Sequence, residues 1–506
     1  MRLLFKKAIL KGTCAEGLAG TPREPTLQRS ASGRKPTDNS ISHFNARLHG
    51  RRERRQNGLQ GGGRLPSVHN GSEPTMTHDA LDQHIPGFAT LAVHAGARPD
   101  PSTGARATPI YQTSSFVFDD VDHAASLFGL QAFGNIYSRI TNPTCAVLEE
   151  RVAALEGGTA ALAVASGHAA QQVVFHTLME PGDEFIASTK LYGGSINQFN
   201  HAFKRFGWQV KWADPADPAA FEALVTGKTK AIFTESISNP GGVITDIAAI
   251  AAVAKRAKVP FIVDNTLASP YLVRPFEHGA DIVVHSATKF LCGHGNSIGG
   301  IIVDGGTFDW LADGRYPALS QPRPDYNGMV LGETFGNFAF AIAARVLGLR
   351  DLGPSLSPFN AFLILTGIET LPLRMQRHCD NALEVARFLS KHPAVARVSY
   401  PGLPEDRYHE LAKRYCPKGA GAVFTIGLTG GYDAGVALVS RLKLFSHLAN
   451  VGDTRSLVIH PASTTHRQLT DDQRVTAGAG PDTVRLSIGI EDAADIIADL
   501  DQALAP

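Results

Sequence analysis

VPFIVDNTLASPYLVRPFEHGADIVVHSATK (259–289) holds two short apolar runs, each closing on polar residues. Runs of four to eight apolar residues bounded by turn formers read as strands buried on both faces. The first run ends at Asp264, and the second runs into Ser286, Thr288 and Lys289. Outward from this stretch, AALAVASG (160–167), EFIAST (184–189), QVKWAD (209–214) and KAIFTES (230–236) have the same character, with helical stretches between several of them. HAAQQVVFHTLM (168–179) has helical spacing, as does CAVLEERVAALEGG (145–158), which Gly157 and Gly158 bring to a stop. Such alternation predicts an α/β fold, a mostly parallel sheet with helices on both faces. Ligands bind these sheets beyond the carboxyl ends of the strands, so the polar residues there are candidates for a site.

Further along, SPFNAFLILTGIETLPLRMQRHCDNALEVARFLSKH (357–392) reads as long amphipathic helix with few breaks. VARVSYPGL (395–403), GAVFTIGL (421–428) and TVRLSIGIE (483–491) follow as separated strands, and AADIIADLDQAL (493–504) as a helix. A smaller α+β C-terminal domain is expected. The organisation predicted is a basic extension over 1–75, an N-terminal arm over 76–130, a large domain over 131–375 and a C-terminal domain over 376–506.

The 506 residues carry a net charge of +1, but the balance is uneven. Residues 1–75 hold 14 Lys/Arg against 5 Asp/Glu, including RRERR (51–55), without any apolar period that could face a core. That segment reads as disordered and functionally silent, with a transit peptide or an RNA-binding arm as the other readings. The acidic remainder gives no reason to expect nucleic-acid binding. Five cysteines without a C-x-x-C pair read as reduced thiols of a cytoplasmic protein. No apolar run approaches the roughly 20 residues that cross a bilayer.

A lysine at a strand end is by itself an ordinary surface residue, and an aspartate there an ordinary turn former. Together, on neighbouring strand ends, they are what pyridoxal 5′-phosphate (PLP) requires. The lysine takes the aldehyde as a Schiff base, and the aspartate keeps the pyridine nitrogen protonated so that the ring accepts electrons. The phosphate needs amides at a helix start, and ASGHAA (165–170) offers strand, Gly turn and helix in that order. Ser286 and Thr288 could add hydroxyl donors. In NIYSRITNPT (135–144), Tyr137 and Arg139 point to one side of an extended segment. No G-x-G-x-x-G follows the early strands, which argues against a Rossmann dehydrogenase. His460 and His466 lack a third partner at useful spacing, so no metal site is expected.

These motifs, with LAVHAG (91–96), PIYQTSSFVF (109–118), LYGGS (191–195), ESISNP (235–240) and HSATKFLCGHGNSIGG (285–300), make the chain resemble the fold-type I PLP enzymes of cysteine and methionine metabolism. The resemblance runs from residue 91 to the C-terminus. It implies a seven-stranded, mostly parallel sheet in the large domain. It implies Lys289 as the Schiff-base lysine, Asp264 at the pyridine nitrogen, Tyr192 stacked on the ring and assisting catalysis, and Asn239 at the ring hydroxyl. Gly167 and His168 would serve the phosphate through backbone amides, beside Ser286 and Thr288. Tyr137 and Arg139 would reach the phosphate of a neighbouring subunit, which implies a homo-oligomer, a tetramer built from active dimers. Arg485 would clamp the substrate α-carboxylate, with Ser456 assisting through its backbone. NVGDTRSLVIHPASTTH (450–466), HAASLFGL (123–130) and LRDLGPSLSPFNAF (349–362) are similar to the O-acetylhomoserine sulfhydrylase branch. That branch implies O-acetylhomoserine and sulfide or a thiol as substrates, with homocysteine and acetate as products. Cystathionine γ-synthase, O-succinylhomoserine sulfhydrylase and methionine γ-lyase share nearly the whole set of motifs, and a catalytically silent protein of this fold is a remoter reading.

Overall fold

The alternation beginning at residue 160 forms one sheet. In a computed structural model, which describes residues 86–465, 467, 474 and 478–505, seven strands are present: β1 (Ala160–Val164), β2 (Glu184–Ser188), β3 (Gln209–Ala213), β4 (Thr229–Glu235), β5 (Phe261–Asp264), β6 (Ile282–Ser286) and β7 (Gly300–Asp304). Their spatial order is β1-β7-β6-β5-β4-β2-β3. The pairs among β2, β3, β4, β5 and β6 are parallel, whereas β7 runs antiparallel to both β1 and β6. Six of these strands are legible as apolar runs. The seventh, β7, begins on the last glycine of the glycine-rich GHGNSIGG, which hides its apolar run among turn formers.

Successive residues of the strands enter two cores, one on each face. Phe261 and Val263 pack with Ile186, Ile232, Val283 and Ile301 on one side. Ile262 packs with Phe185, Phe233, Ile282 and Ile302 on the other. This two-sided burial is why the strands read as continuous apolar runs rather than alternating ones. Helix α1 (Pro143–Glu156) starts where the Asn142 side chain accepts from Thr144 N at 3.0 Å and ends at Gly157, whose φ of 79° few other residues adopt without strain. Helix α2 (Gly167–Leu178) starts in the turn after β1, capped by Ser166, whose Oγ accepts from Ala169 N at 3.1 Å.

The expected helical stretch has one break and forms two helices. α3 (Pro358–Glu369) and α4 (Leu371–Leu389) are separated at Thr370, because Pro372 has no N–H to continue the first ladder. The expected boundary at 375 therefore falls inside α4. Beyond it lie β8 (Val395–Ser399), β9 (Val423–Leu428), β10 (Ser446–His447), β11 (Leu457–Ile459) and β12 (Thr483–Ser487). They form a second, mostly antiparallel sheet in the order β10-β11-β12-β9-β8. The large sheet and this smaller one belong to a single unit over 81–506. The basic extension over 1–75 lies outside the described residues. Cys145, Cys292, Cys379 and Cys416 are buried free thiols. Among the described residues no helix is long and apolar enough to cross a membrane.

Candidate active site

A cavity of about 270 Å³ opens at the carboxyl ends of the parallel strands and takes Asn450 and Arg485 from the second sheet and its loop. Lys289, Asp264, Gly167, His168, Tyr192, Asn239, Ser286, Thr288 and Arg485 all line it. At least 18 residues of chain separate the lining segments after β1, β2, β4, β5 and β6, and the sheet brings them to one rim.

Lys289 sits in the turn that leaves β6. Its carbonyl accepts from Gly293 N at 2.7 Å and its amide donates to Ser286 O at 3.2 Å. Burial, aided by the charge of Arg485, lowers its amine to about 8. A fraction of neutral, nucleophilic amine is thus present near neutrality. Its Nζ donates to Asn450 Oδ1. The rate of PLP capture by the apoprotein should accordingly rise with pH and level off above about 8. The Asn450 oxygen favours the protonated amine, so Asn450→Ala should move this midpoint down by about one pH unit. Stopped-flow absorbance across pH measures it, and an unmoved midpoint would remove Asn450 from this role. The unfolded lysine, at 10.5, binds more protons than the folded one between about 8 and 10.5, so through this group the apoprotein gains stability as pH rises across that window.

Asp264 ends β5. One carboxylate oxygen accepts from Thr266 N at 3.0 Å, and the other faces Gln171 Nε2 at 3.5 Å. Burial raises Asp264 above the ordinary carboxylate range, against the pull of its hydrogen bonds and of His285. A carboxylate held this way is stabilised by an incoming cationic N–H, which a protonated pyridine provides. Opposite, the first amides of α2 at Gly167 and His168 have no acceptor within the helix, the usual setting for a bound phosphate. The backbones around them are close. A Cβ at Gly167 would lie 2.8 Å from the Ser286 Cβ, and one at Gly300 would lie 2.0 Å from Ser166 O. Thr288 Oγ1 donates to Gly299 O at 3.3 Å and accepts from Gly299 N at 3.1 Å, so its hydroxyl also ties down its own loop. The donors, the carboxylate and the lysine together fit PLP.

Tyr192 is 47% exposed toward the cavity, its ring edge-on to His168 at 5.9 Å. Arg485, on β12, donates from Nη1 to Asn239 Oδ1 at 3.1 Å and from Nη2 to Asn450 O at 2.9 Å. Its Nε is buried without a hydrogen-bond partner. Burial lowers its pKa to about 10, so it stays charged at neutral pH. A guanidinium contacting carbonyl oxygens, with no carboxylate in its hydrogen bonds, suits an incoming carboxylate.

Two expectations need correction or qualification. Ser456 is not brought to the cavity: its amide donates to Glu491 Oε1 at 2.6 Å, its carbonyl accepts from Ser446 N at 3.0 Å, and its hydroxyl bonds Glu491 Oε2 at 3.0 Å. Its backbone is fully engaged elsewhere, and Asn450 occupies the place beside Arg485 instead. Tyr137 and Arg139 lie outside the cavity lining; Arg139 donates to Arg350 O and its guanidinium stands 5.6 Å from the Tyr137 ring. Asn450, Glu235 and Gln171 are among the further lining residues that the sequence reading did not single out. Glu235 gave the same signal as Asp264, an acid closing an apolar run, in KAIFTES. Asn450 gave none, since it lies in an irregular loop. Among the described residues no three His, Cys, Asp or Glu side chains gather as a metal site. His460 Nε2 lies 2.8 Å from Pro481 O, and His466 lies outside the described residues.

A mostly parallel sheet that gathers a softened lysine, a buried carboxylate and a phosphate-ready helix start at one rim defines a fold-type I PLP-dependent enzyme. The chain belongs to the Cys/Met metabolism PLP-dependent enzyme family, whose model matches residues 89–505. It is 52% identical over 424 residues to the O-acetyl-L-homoserine sulfhydrylase of Leptospira meyeri, covering 82% of this chain and 96% of that one. It is 51% identical over 419 residues to the homocysteine synthase of Schizosaccharomyces pombe, covering 82% of this chain and 98% of that one. A solved structure assigned as an O-acetylhomoserine (thiol)-lyase from Campylobacter jejuni superposes with a TM-score of 0.80 at 41% identity, covering 82% of this chain and 99% of that one. That structure carries a pyridoxyl-lysine monophosphate.

Proposed function

We propose that the enzyme exchanges the acetate of O-acetyl-L-homoserine for sulfide or a thiol at Cγ, forming L-homocysteine for methionine biosynthesis. One observation carries the reading: the amine of Lys289 and the guanidinium of Arg485 meet on the same residue, Asn450, the first on its side-chain oxygen and the second on its main-chain oxygen. A substrate whose α-carboxylate lies on Arg485 thus has its α-carbon near Lys289, the arrangement an amino-acid substrate requires. The names of the Leptospira and Schizosaccharomyces relatives support the acyl group and the product.

PLP, when bound, supplies the electron sink that makes the substrate's Cα and Cβ protons acidic. Lys289 would hold it covalently, Asp264 would face its pyridine nitrogen, and Tyr192 would cover its ring. Asn239 would donate to its ring hydroxyl from Nδ2, its Oδ1 being engaged by Arg485. The amides of Gly167 and His168, with Ser286 and Thr288, would hold its phosphate. Tyr192 takes a proton from the incoming substrate amine, and Arg485 orients the carboxylate. Lys289, freed on substrate binding, takes the proton from Cα, a task matched to a pKa of about 8. A second proton then leaves Cβ, the C–O bond at Cγ breaks with release of acetate, the C–S bond forms at Cγ, and protons return to Cβ and, from Lys289, to Cα.

Tyr137 and Arg139, displaced from their own chain's cavity, support a homo-oligomer in which they complete a neighbour's phosphate site, assembled as a tetramer of two active dimers. The buried free thiols support a cytoplasmic enzyme. Purified protein given O-acetylhomoserine and sulfide should release homocysteine and acetate in equal amounts. Absence of homocysteine sinks the proposal, and 2-oxobutanoate released from methionine would assign a γ-lyase instead.

A further inference from the structure

We propose that Glu235 is a positioning residue for the ring end of the site, its two carboxylate oxygens holding the main chains of Tyr192 and Asn239 in place beside Asp264. The inference rests on the roles proposed above for Tyr192 and Asn239.

Glu235 is the last residue of β4 and pairs in register with Asp264 on β5. Its Oε1 accepts from Tyr192 N at 2.6 Å, and its Oε2 accepts from Asn239 N at 3.0 Å. One side chain at the end of β4 therefore ties together the loop after β2 and the loop after β4. The strand end that carries it is itself anchored: Ser236 N donates to Asp264 O at 3.0 Å, and Thr245 Oγ1 donates to Glu235 O at 2.6 Å. The hold extends to the substrate side, because Asn239 Oδ1 accepts from Arg485.

The chemistry of the tie is specific. Two amides converge on it, so two acceptor oxygens are needed at this reach; a glutamine has one, and would turn its NH₂ against the other amide. The group is also buried without a cationic partner. Burial and the neighbouring Asp264 push Glu235 well above its ordinary range, and the amides of Tyr192 and Asn239 pull the other way. A buried unpaired carboxylate is a poor way to stabilise a fold, since an apolar side chain of the same size serves at least as well. Its gain here is the placement of two loops that carry ring-contacting side chains.

The test uses the holoenzyme and Glu235→Gln. The expected result is a rise of about tenfold or more in the PLP dissociation constant, a weakened visible circular dichroism of bound PLP, and a raised KM for the amino-acid substrate. Unchanged PLP affinity, dichroism and KM, whatever happens to the melting temperature, overturn the proposal and leave Glu235 a structural tie. Tyr192→Ala and Asn239→Ala serve as references. If neither alters PLP binding or KM, the site reading fails first; if both do and Glu235→Gln does not, this proposal alone fails. Should Glu235→Gln not fold, amide hydrogen exchange of the native enzyme decides. Tyr192 and Asn239 should exchange at least about 100-fold slower than free loop amides, and exchange at loop rates overturns the proposal.

Discussion

Lys289→Ala protein, loaded with PLP, is expected to lack the absorbance band at about 420 nm that lysine-bound PLP gives, and to lose homocysteine formation by about 10³-fold or more. In the proposed mechanism, removing the amine takes away two things at once, the covalent hold on the aldehyde and the base that works at Cα. The helix-start amides at Gly167, proposed to hold the phosphate, and the carboxylate of Asp264 remain, so the variant should still bind PLP, as free aldehyde. Lys289→Arg should not restore the band, because a guanidinium does not give up its proton near neutrality. Absorbance spectra and a homocysteine assay on the same preparations check both parts. A retained band would place the imine on a different lysine.

Arg485→Lys is expected to lower kcat/KM for the amino-acid substrate by about 10²- to 10³-fold, mostly through KM. An ammonium cannot give the two parallel bonds that a planar fork offers a carboxylate. The loss corresponds to about 3–4 kcal/mol of transition-state binding. Arg485→Leu should lose more and add a second signature. The arginine's charge helps to lower the Lys289 amine, so its removal should raise that amine above about 8 and move the pH–rate profile upward. Steady-state kinetics across pH read both effects. An unchanged KM in both variants would detach Arg485 from the substrate.

The fold and the cofactor were legible for different reasons. β1, β2, β4, β5 and β6 are buried on both faces, and burial leaves apolar runs that stand out in any sequence. Asp264 and Lys289 stood out because a charged residue at or just past the end of such a run is out of keeping with it. Glu235 carried the same mark, yet its meaning depends on which amides face it, and those arrive from loops 43 and 4 residues away in sequence. Asn450 lies between β10 and β11, strands of two and three residues too short to announce themselves, so its place beside Lys289 depends on packing alone. Ser456 shows the converse: a polar residue in a telling motif whose hydrogen bonds the structure spends on Glu491. The break at Thr370 depended on one residue, Pro372, inside an otherwise continuous amphipathic pattern.

The antiparallel course of β7 has a mechanical consequence. Every other strand of the large sheet leaves the rim by a crossover, but the chain after β6 turns back into β7 without leaving it, so Ser286 and Gly300 sit side by side in the sheet. The segment carrying Lys289 is thereby clamped at both ends. Along its length the buried Arg374 bonds Phe290 O at 2.8 Å and Leu291 O at 3.3 Å, and Gly293 leaves no room for a side chain against that guanidinium. In the proposed mechanism Lys289 is a swing arm on a fixed mount: whatever distance its nitrogen travels during a turnover is covered by the rotations of its own four methylene groups.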